Sequence, residues 1–376
     1  MSEDLQQALS LDGLRSSHPI EVPVGKAEEI NQIFDSISYS KGSCIIHMIS
    51  SYLGEDVFLE GVRQYLKRHK YGNTETGDLW KALSETSGKD VGAVMDIWTK
   101  NIGYPVVSVT EKDDGIHLEQ HRFLTTGDVK PEDDKVLYPI SLNLRSKDGV
   151  DSSLMLDTRE KVLALKDLDF FQLNANYSGF FRTHYSAARL AKLGKAAGAL
   201  SVQDRVGIVG DAGALATSGY QKTTDLLELF KALSDGGESE FLVWDQILNR
   251  LGSIRMAWIE HPDVTEKLLD FQRTIFSPLA HKLGWEFSEK DGHVEQQFKA
   301  LTFAAAGSAG DEKIIAAAKD MFKAYVAGDH SAMHPNIRGS VFSMNLRYGG
   351  ADEVNQAVTS PFYLRCANII FSTRRS

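Results

Sequence analysis

Met95-Asp96-Ile97-Trp98-Thr99-Lys100-Asn101-Ile102-Gly103-Tyr104-Pro105-Val106 is where the chain changes its period. Val91, Val94, Met95, Ile97 and Trp98 recur at helical spacing behind Asp90, a residue suited to cap a helix N-terminus. Gly103 ends that helix, and Pro105 stands just beyond it. From Val106 onward the pattern is one of short strands. The stretch thus separates a helical part before it from a β part after it.

Working backward, residues 1–103 read as mostly helical. A helix is predicted over 41–53, where Ile45, Ile46, Met48, Ile49 and Leu53 recur at helical spacing. Two more are predicted over 56–69, with Phe58, Val62 and Leu66 on one face, and over 78–86. Pro19-Ile20-Glu21-Val22-Pro23-Val24 is the exception and reads as extended, because proline restricts its own backbone and that of its neighbour.

Working forward, short runs with some alternation cover 106–109, 116–123, 138–144, 153–156, 162–165 and 180–185. Asp113-Asp114-Gly115, Thr126-Gly127-Asp128, Asp148-Gly149 and Tyr177-Ser178-Gly179 are turn signals between them. Such spacing predicts a small β-sandwich over 104–186. After Ser186 the helical period returns, over 223–233, 241–256, 264–283, 293–306 and 312–327. Helix pairs of roughly 40 residues predict an α-solenoid of the HEAT or armadillo sort over 187–357. Residues 358–376 break that pattern and end on Arg374 and Arg375. The fold class is mixed and multidomain: a helical segment, a small β-sandwich and a solenoid-like helical domain.

The 376 residues are 42% hydrophobic and 24% charged, ordinary for a chain that buries a core. The net charge of −10, with no basic cluster interleaved with aromatics, argues against nucleic acid as a partner. Two cysteines, Cys44 and Cys366, give no disulfide framework. No signal peptide is visible, and no apolar run reaches the ~18 residues that span a bilayer. The expectation is a soluble cytosolic protein.

No stretch carries the spacing of a metal site. His117 and His121 stand four apart but in a predicted strand, where such residues lie ~13 Å from one another, so two solvated histidines are expected. His330 and His334 have the same spacing, bracketed by Gly328 and Pro335, which favours a loop. No Cys-x-x-Cys pair exists. Gly207-Ile208-Val209-Gly210-Asp211-Ala212-Gly213 lacks the Lys-Ser or Lys-Thr that completes a phosphate loop, and reads as close helix packing. There is no Gly-x-Ser-x-Gly elbow. Phe34-Asp35-Ser36-Ile37-Ser38-Tyr39-Ser40-Lys41-Gly42, on composition alone, is a turn leading into a helix, with Tyr39 a packing tyrosine.

That segment does not stand alone. Leu11-Asp12-Gly13-Leu14-Arg15-Ser16-Ser17-His18 runs into the Pro19–Val24 stretch before it; Asp78-Leu79-Trp80, the opening 95–106 stretch and Gly179-Phe180-Phe181-Arg182-Thr183-His184-Tyr185 follow it. In order and spacing these motifs strongly resemble the gluzincin aminopeptidases of the puromycin-sensitive and endoplasmic-reticulum type, fungal alanine/arginine aminopeptidases among them. The resemblance reaches to about Gly350. It implies that residues 1–103 are the last part of a thermolysin-like catalytic domain, ahead of the β-sandwich and the helical domain. It also implies, for the parent family, a zinc cofactor and peptide substrates.

The family's His-Glu-x-x-His helix, its third ligand glutamate and its Gly-Ala-Met-Glu-Asn loop have no counterpart in this sequence, so no metal ligand is assigned here. Carried over by position, Tyr39 is similar to the tyrosine whose hydroxyl stabilises the tetrahedral intermediate. Phe34 is similar to an aromatic lining the pocket for the substrate's N-terminal side chain, and Asn31 lies near that pocket. Three readings follow: an inactive portion of a zinc aminopeptidase; a non-catalytic interaction or regulatory module, a helical scaffold that binds peptides or the missing N-terminal portion; and an active enzyme with an unrecognised metal site. The apolar 41–53 helix is expected to lack the domain half it would pack against, so residues 1–103 should be the loosest part of the chain.

Overall fold

The computed structural model describes residues 2–23, 25–26, 34–165 and 167–360. They divide into two units, one ending at Glu238 and one beginning at Ser239.

The first unit begins with α1 (Ser2–Asp12). A single π-helical turn, Ile37–Lys41, runs directly into α2 (Gly42–Leu53). Gly54, at φ 87°, ends α2 and starts α3 (Glu55–Arg68). A capping box between Glu75 and Asp78 starts α4 (Thr76–Ser87). Asp90 caps α5 (Val91–Lys100) as the sequence predicts, its carboxylate taking the N–H of Ala93 at 3.0 Å.

Strands follow at once. β1 (Pro105–Lys112) and β2 (Gly115–Arg122) form an antiparallel hairpin. Next come β3 (Ile140–Ser141), β4 (Leu144–Ser146), β5 (Gly149–Asp151), β6 (Met155–Leu156), β7 (Glu160–Leu163), β8 (Phe171–Gln172) and β9 (Arg182–His184). Four strands make one sheet in the order β7-β2-β1-β9, with β9 parallel to β1. β3 and β6 pair separately, and β5-β4-β8 form a third small sheet. The predicted run over 138–144 is broken where Asn143 takes a positive φ of 39°. α6 (Ala187–Lys195), α7 (Val202–Thr217) and α8 (Thr223–Asp235) complete the unit.

The second unit is helical among the described residues: α9 (Phe241–Ala257), α10 (Pro262–Leu283), α11 (His293–Ser308), α12 (Glu312–Val326), α13 (Pro335–Tyr348) and α14 (Ala351–Thr359). Four of these match predicted helices closely in position. His330 and His334 fall in the loop before α13, as expected, with His334 stacked on Phe287 at 4.0 Å between ring centroids. Residues 361–376 of the divergent tail lie outside the described residues.

One expectation is corrected. The apolar helix supposed to lack a packing partner has one inside the chain. Ile45 and Ile49 of α2 are 1% exposed and Met48 is 6% exposed; of its apolar residues, Ile46 alone reaches 37%. α2 packs on α3 and α5, and the tilted Trp98–Tyr138 pair, 4.6 Å apart, ties α5 to the sheets. Residues 1–103 therefore share one unit with the β region rather than standing open.

α7 shows why the glycine run reads as packing. A Cβ on Gly207 would lie 2.0 Å from the buried Tyr177 ring, and one on Gly210 would lie 2.4 Å from the Gln6 side chain. Alanine in a helix gains about 1 kcal/mol over glycine, but overpacking a core costs ~1–3 kcal/mol. At Gly207 the contact is with a buried ring rather than the end of a flexible side chain, so the clash wins: Gly207→Ala should destabilise the chain by up to about 2 kcal/mol, the overpacking cost less the propensity gain. Gly252 in α9 has nothing within 4 Å of its Cβ position, so Gly252→Ala should shift stability the other way, by about 0.5–1 kcal/mol. Equilibrium denaturation of the two variants checks the opposite signs.

Candidate functional site

The segment singled out by sequence forms a rigidly anchored turn. At its start the Asp35 carboxylate accepts the N–H of Ser38 at 2.8 Å, and the Asp35 carbonyl accepts the N–H of Tyr39 at 3.1 Å. At its end the N–H of Gly42 reaches back to Ile37 O, the five-residue spacing of a π-turn. π-turns leave the regular ladder at a local cost and cluster at functional sites.

His18 holds the start of the turn. Its Nδ1 faces the Pro19 carbonyl at 2.8 Å, and its Nε2 contacts the Asp35 carboxylate. Both ring nitrogens face acceptors, so both are best satisfied as N–H donors, which is the charged imidazolium. Partial burial works against that charge, but the Pro19 carbonyl and Asp35 together outweigh it and raise the His18 pKa. Burial likewise works against the Asp35 charge and is outweighed by the Ser38 N–H and His18, so Asp35 titrates below the usual carboxylate range.

Lys41 holds the end of the turn. It is buried, with its side chain fully inaccessible, as is that of Asp12. Lys41 Nζ lies 2.9 Å from Asp12 Oδ2 and donates to the carbonyls of Asn101 at 3.1 Å and Gly103 at 3.4 Å. Asp12 Oδ1 in turn accepts the N–H of Gly103 at 2.9 Å and the Ser17 hydroxyl at 2.6 Å. Burial drives the Lys41 pKa down, and Asp12 opposes that shift. Removing one partner of a buried pair typically costs ~3–5 kcal/mol, because the other charge is left stranded.

With both ends fixed, Phe34 and Tyr39 stand together on the surface. They are 60% and 64% exposed, and their ring centroids are 6.3 Å apart. Tyr39 is therefore not the packing tyrosine that composition alone suggests. Asn31 lies outside the described residues. Among the described residues no group of three or more His, Cys, Asp or Glu side chains is arranged to hold a metal ion. His117 and His121 share one face of β2, each against carboxylates: His117 with Asp114 at 2.8 Å, and His121 between Asp134 at 2.6 Å and Glu119 at 2.7 Å.

The sequence reading missed His18, Asp12 and Lys41 as parts of this site. A signal for Lys41 was present: it occupies the inward stripe with Ile37, Ile45 and Met48, where a lysine is out of place unless paired.

The His18–Asp35 contact has a defined pH window. The stabilisation from His18, whose pKa is raised, is fully present below the ordinary histidine pKa and lost as pH rises through the raised value. That from Asp35, whose pKa is lowered, is present above the ordinary carboxylate pKa and lost as pH falls through the lowered value. An NMR titration should find His18 titrating above the usual histidine range, and Asp35→Asn should move it down. An unchanged titration in that variant would show that the pair does not form in solution.

Residues 1–98 match the peptidase family M1 domain and residues 170–360 the ERAP1-like C-terminal domain, the latter just over half of the chain. An aminopeptidase named as mitochondrial, Aminopeptidase 2 of Saccharomyces cerevisiae, is 49% identical over 94% of the chain and 37% of its own length. The alanine/arginine aminopeptidase of the same yeast is 48% identical over 93% of the chain and 41% of its own length. The puromycin-sensitive aminopeptidase of Caenorhabditis elegans is 31% identical over 94% and 38% respectively. The chain thus spans about two-fifths of the length of the curated relatives it matches. In its helical first hundred residues and in its helical second half, the chain belongs to peptidase family M1 and corresponds to a C-terminal portion of its aminopeptidases.

Proposed function

We propose that this chain is the C-terminal portion of a zinc-dependent aminopeptidase and is inactive by itself. The observation that carries the reading is the paired exposure of Phe34 and Tyr39 on an anchored π-turn, inside the segment that matches the M1 domain. A tyrosine hydroxyl held at a surface can donate to the oxygen that gains negative charge when a peptide carbonyl is attacked. Loss of one such donor typically costs ~10²–10³ in rate. Phe34 beside it offers an apolar wall for a substrate side chain. The described residues do not fit a zinc site, so the metal is assigned to protein outside them, and peptides are the substrate class.

On this reading, residues 1–103 complete a thermolysin-like catalytic domain, 104–186 form a β-sandwich, and 187–357 a HEAT- or armadillo-like domain. No helix of the described residues is long and apolar enough to cross a membrane. We place the protein in the cytosol, with the N-terminal portion that its longer relatives carry as the part these residues pack with.

A second reading, a non-catalytic helical module that binds peptides, is favoured by one feature. A cleft of about 620 Å³ in the second unit is lined by Asn249, Arg255, Gln272, Ser343, Arg347 and Tyr348, among others. That volume lies within the ~300–1,000 Å³ of ordinary ligand sites.

Two measurements separate the readings. Metal analysis and an aminoacyl-nitroanilide assay on the purified chain should find no stoichiometric zinc and no hydrolysis; about one zinc per chain with chelator-sensitive turnover would overturn the proposal. In an enzyme that joins these residues to a zinc-binding segment, Tyr39→Phe should lower kcat by ~10²-fold or more with little change in KM. A change in KM alone would move Tyr39 from transition-state stabilisation to substrate binding.

A further inference from the structure

Lys41 is a fully buried charge to which the chemistry proposed for Tyr39 gives no part, yet it shares a five-residue turn with that tyrosine. Its ammonium lies 2.9 Å from Asp12 Oδ2 and donates to the carbonyls of Asn101 and Gly103. The Phe180 ring lies beneath, 5.7 Å from Nζ. A buried lysine with oxygens on three sides and a ring beneath has little room to move.

The acceptors are themselves fixed. Asp12 is bound by the Gly103 N–H and the Ser17 hydroxyl, and the Tyr138 hydroxyl, which donates at 3.0 Å, braces the carbonyls of Ile102 and Gly103. Residues two apart in a helical turn point to opposite sides, so drawing Lys41 inward turns Tyr39 outward. Ile37, 6% exposed at the other end of the turn, is inward too. Between two inward anchors the Tyr39 backbone has little freedom to rotate.

A buried ion pair contributes little net stability compared with an apolar pair of similar shape, but it fixes where its atoms sit. We propose that Lys41, clamped by Asp12, is a positioning residue that sets the direction of the Tyr39 hydroxyl. The proposal rests on the reading of Tyr39 as a group that touches substrate.

The test removes both charges together, so that neither is stranded. It combines Asp12→Asn with Lys41→Met; the side-chain carbonyl of the introduced asparagine can still accept from Gly103 and Ser17. On the chain itself, amide exchange over residues 38–42 should speed about tenfold, the mark of a local opening eased while the sheets stay protected. In the joined enzyme, kcat should fall by about 10–10²-fold, the usual effect of a misplaced group, with KM changed less than twofold.

The decisive arm is a double-mutant cycle with Tyr39→Phe. If Lys41 acts through Tyr39, the paired change should cost nothing further once the hydroxyl is gone. An equal loss of kcat with and without the hydroxyl would overturn the positioning role while leaving Tyr39 in place. A Tyr39→Phe enzyme with unchanged kcat would overturn the reading of Tyr39 itself. Should the double change fail to fold, Lys41→Arg serves in the same cycle, because a planar guanidinium cannot reproduce the compact three-acceptor site. Unaltered kcat and exchange in that variant would likewise overturn the proposal.

Discussion

The buried contact between Lys41 and Asp12 is the constraint on which the first unit turns. It joins the end of α1, the π-turn ahead of α2, and the Asn101–Gly103 link between α5 and β1. These three places are far apart in sequence, and each brings a backbone or side-chain group that water would otherwise satisfy. Buried polar groups of this kind are costly when unpaired and position-fixing when paired. The helical part and the β part of the unit therefore meet through a polar joint rather than through apolar surface alone.

A second joint continues the first. Tyr104, one residue past Gly103, is fully buried; its hydroxyl donates to Leu9 O at 2.7 Å and accepts from Arg182 Nε at 3.0 Å. Arg182 then pairs with Asp211 of α7 at 3.0 Å, and Asp211 also takes the Thr183 N–H at 2.9 Å. β1, β9, α1 and α7 are thus held in one chain of contacts. The close approach of α7 at Gly207 and Gly210 lets it reach Tyr177 and Gln6 at the same place. A Cβ at either glycine would meet the Tyr177 ring or the Gln6 side chain.

Legibility in the sequence followed the physics of each element. α5 could be placed because Asp90, an amphipathic stripe and Gly103 agree on its limits. Four helices of the second unit, α9 to α12, were also placed closely by their period, whereas α13 and α14 were not delimited. α7 could be read as packing but not delimited: Val206, Ile208, Val209, Ala212 and Leu215 are buried all round it, so it carries no stripe. β3, β6 and β8 are two residues each and too short to show a period. The site was half legible. Tyr39 and Phe34 came from resemblance, whereas Asp12 and His18 reach the turn only through long-range contacts that no local pattern encodes. The apolar α2 was misjudged for the same reason, because its covering residues come from α3 and α5.

The arrangement separates two things that an active site needs. One is the group that reacts or binds metal; the described residues bring together no cluster that could hold a metal ion. The other is a scaffold that fixes an exposed side chain, here Tyr39. Here the scaffold is complete within the chain: every acceptor that holds Lys41, and the histidine that faces Asp35, lies between residues 12 and 103. An exposed pair of aromatic rings on a turn fixed at both ends is poor economy for a surface with nothing to meet, since exposed aromatics forgo the burial that stabilises a fold. Preorganisation of this kind is worth its local strain when a transition state, or a partner surface, is to be met without further ordering.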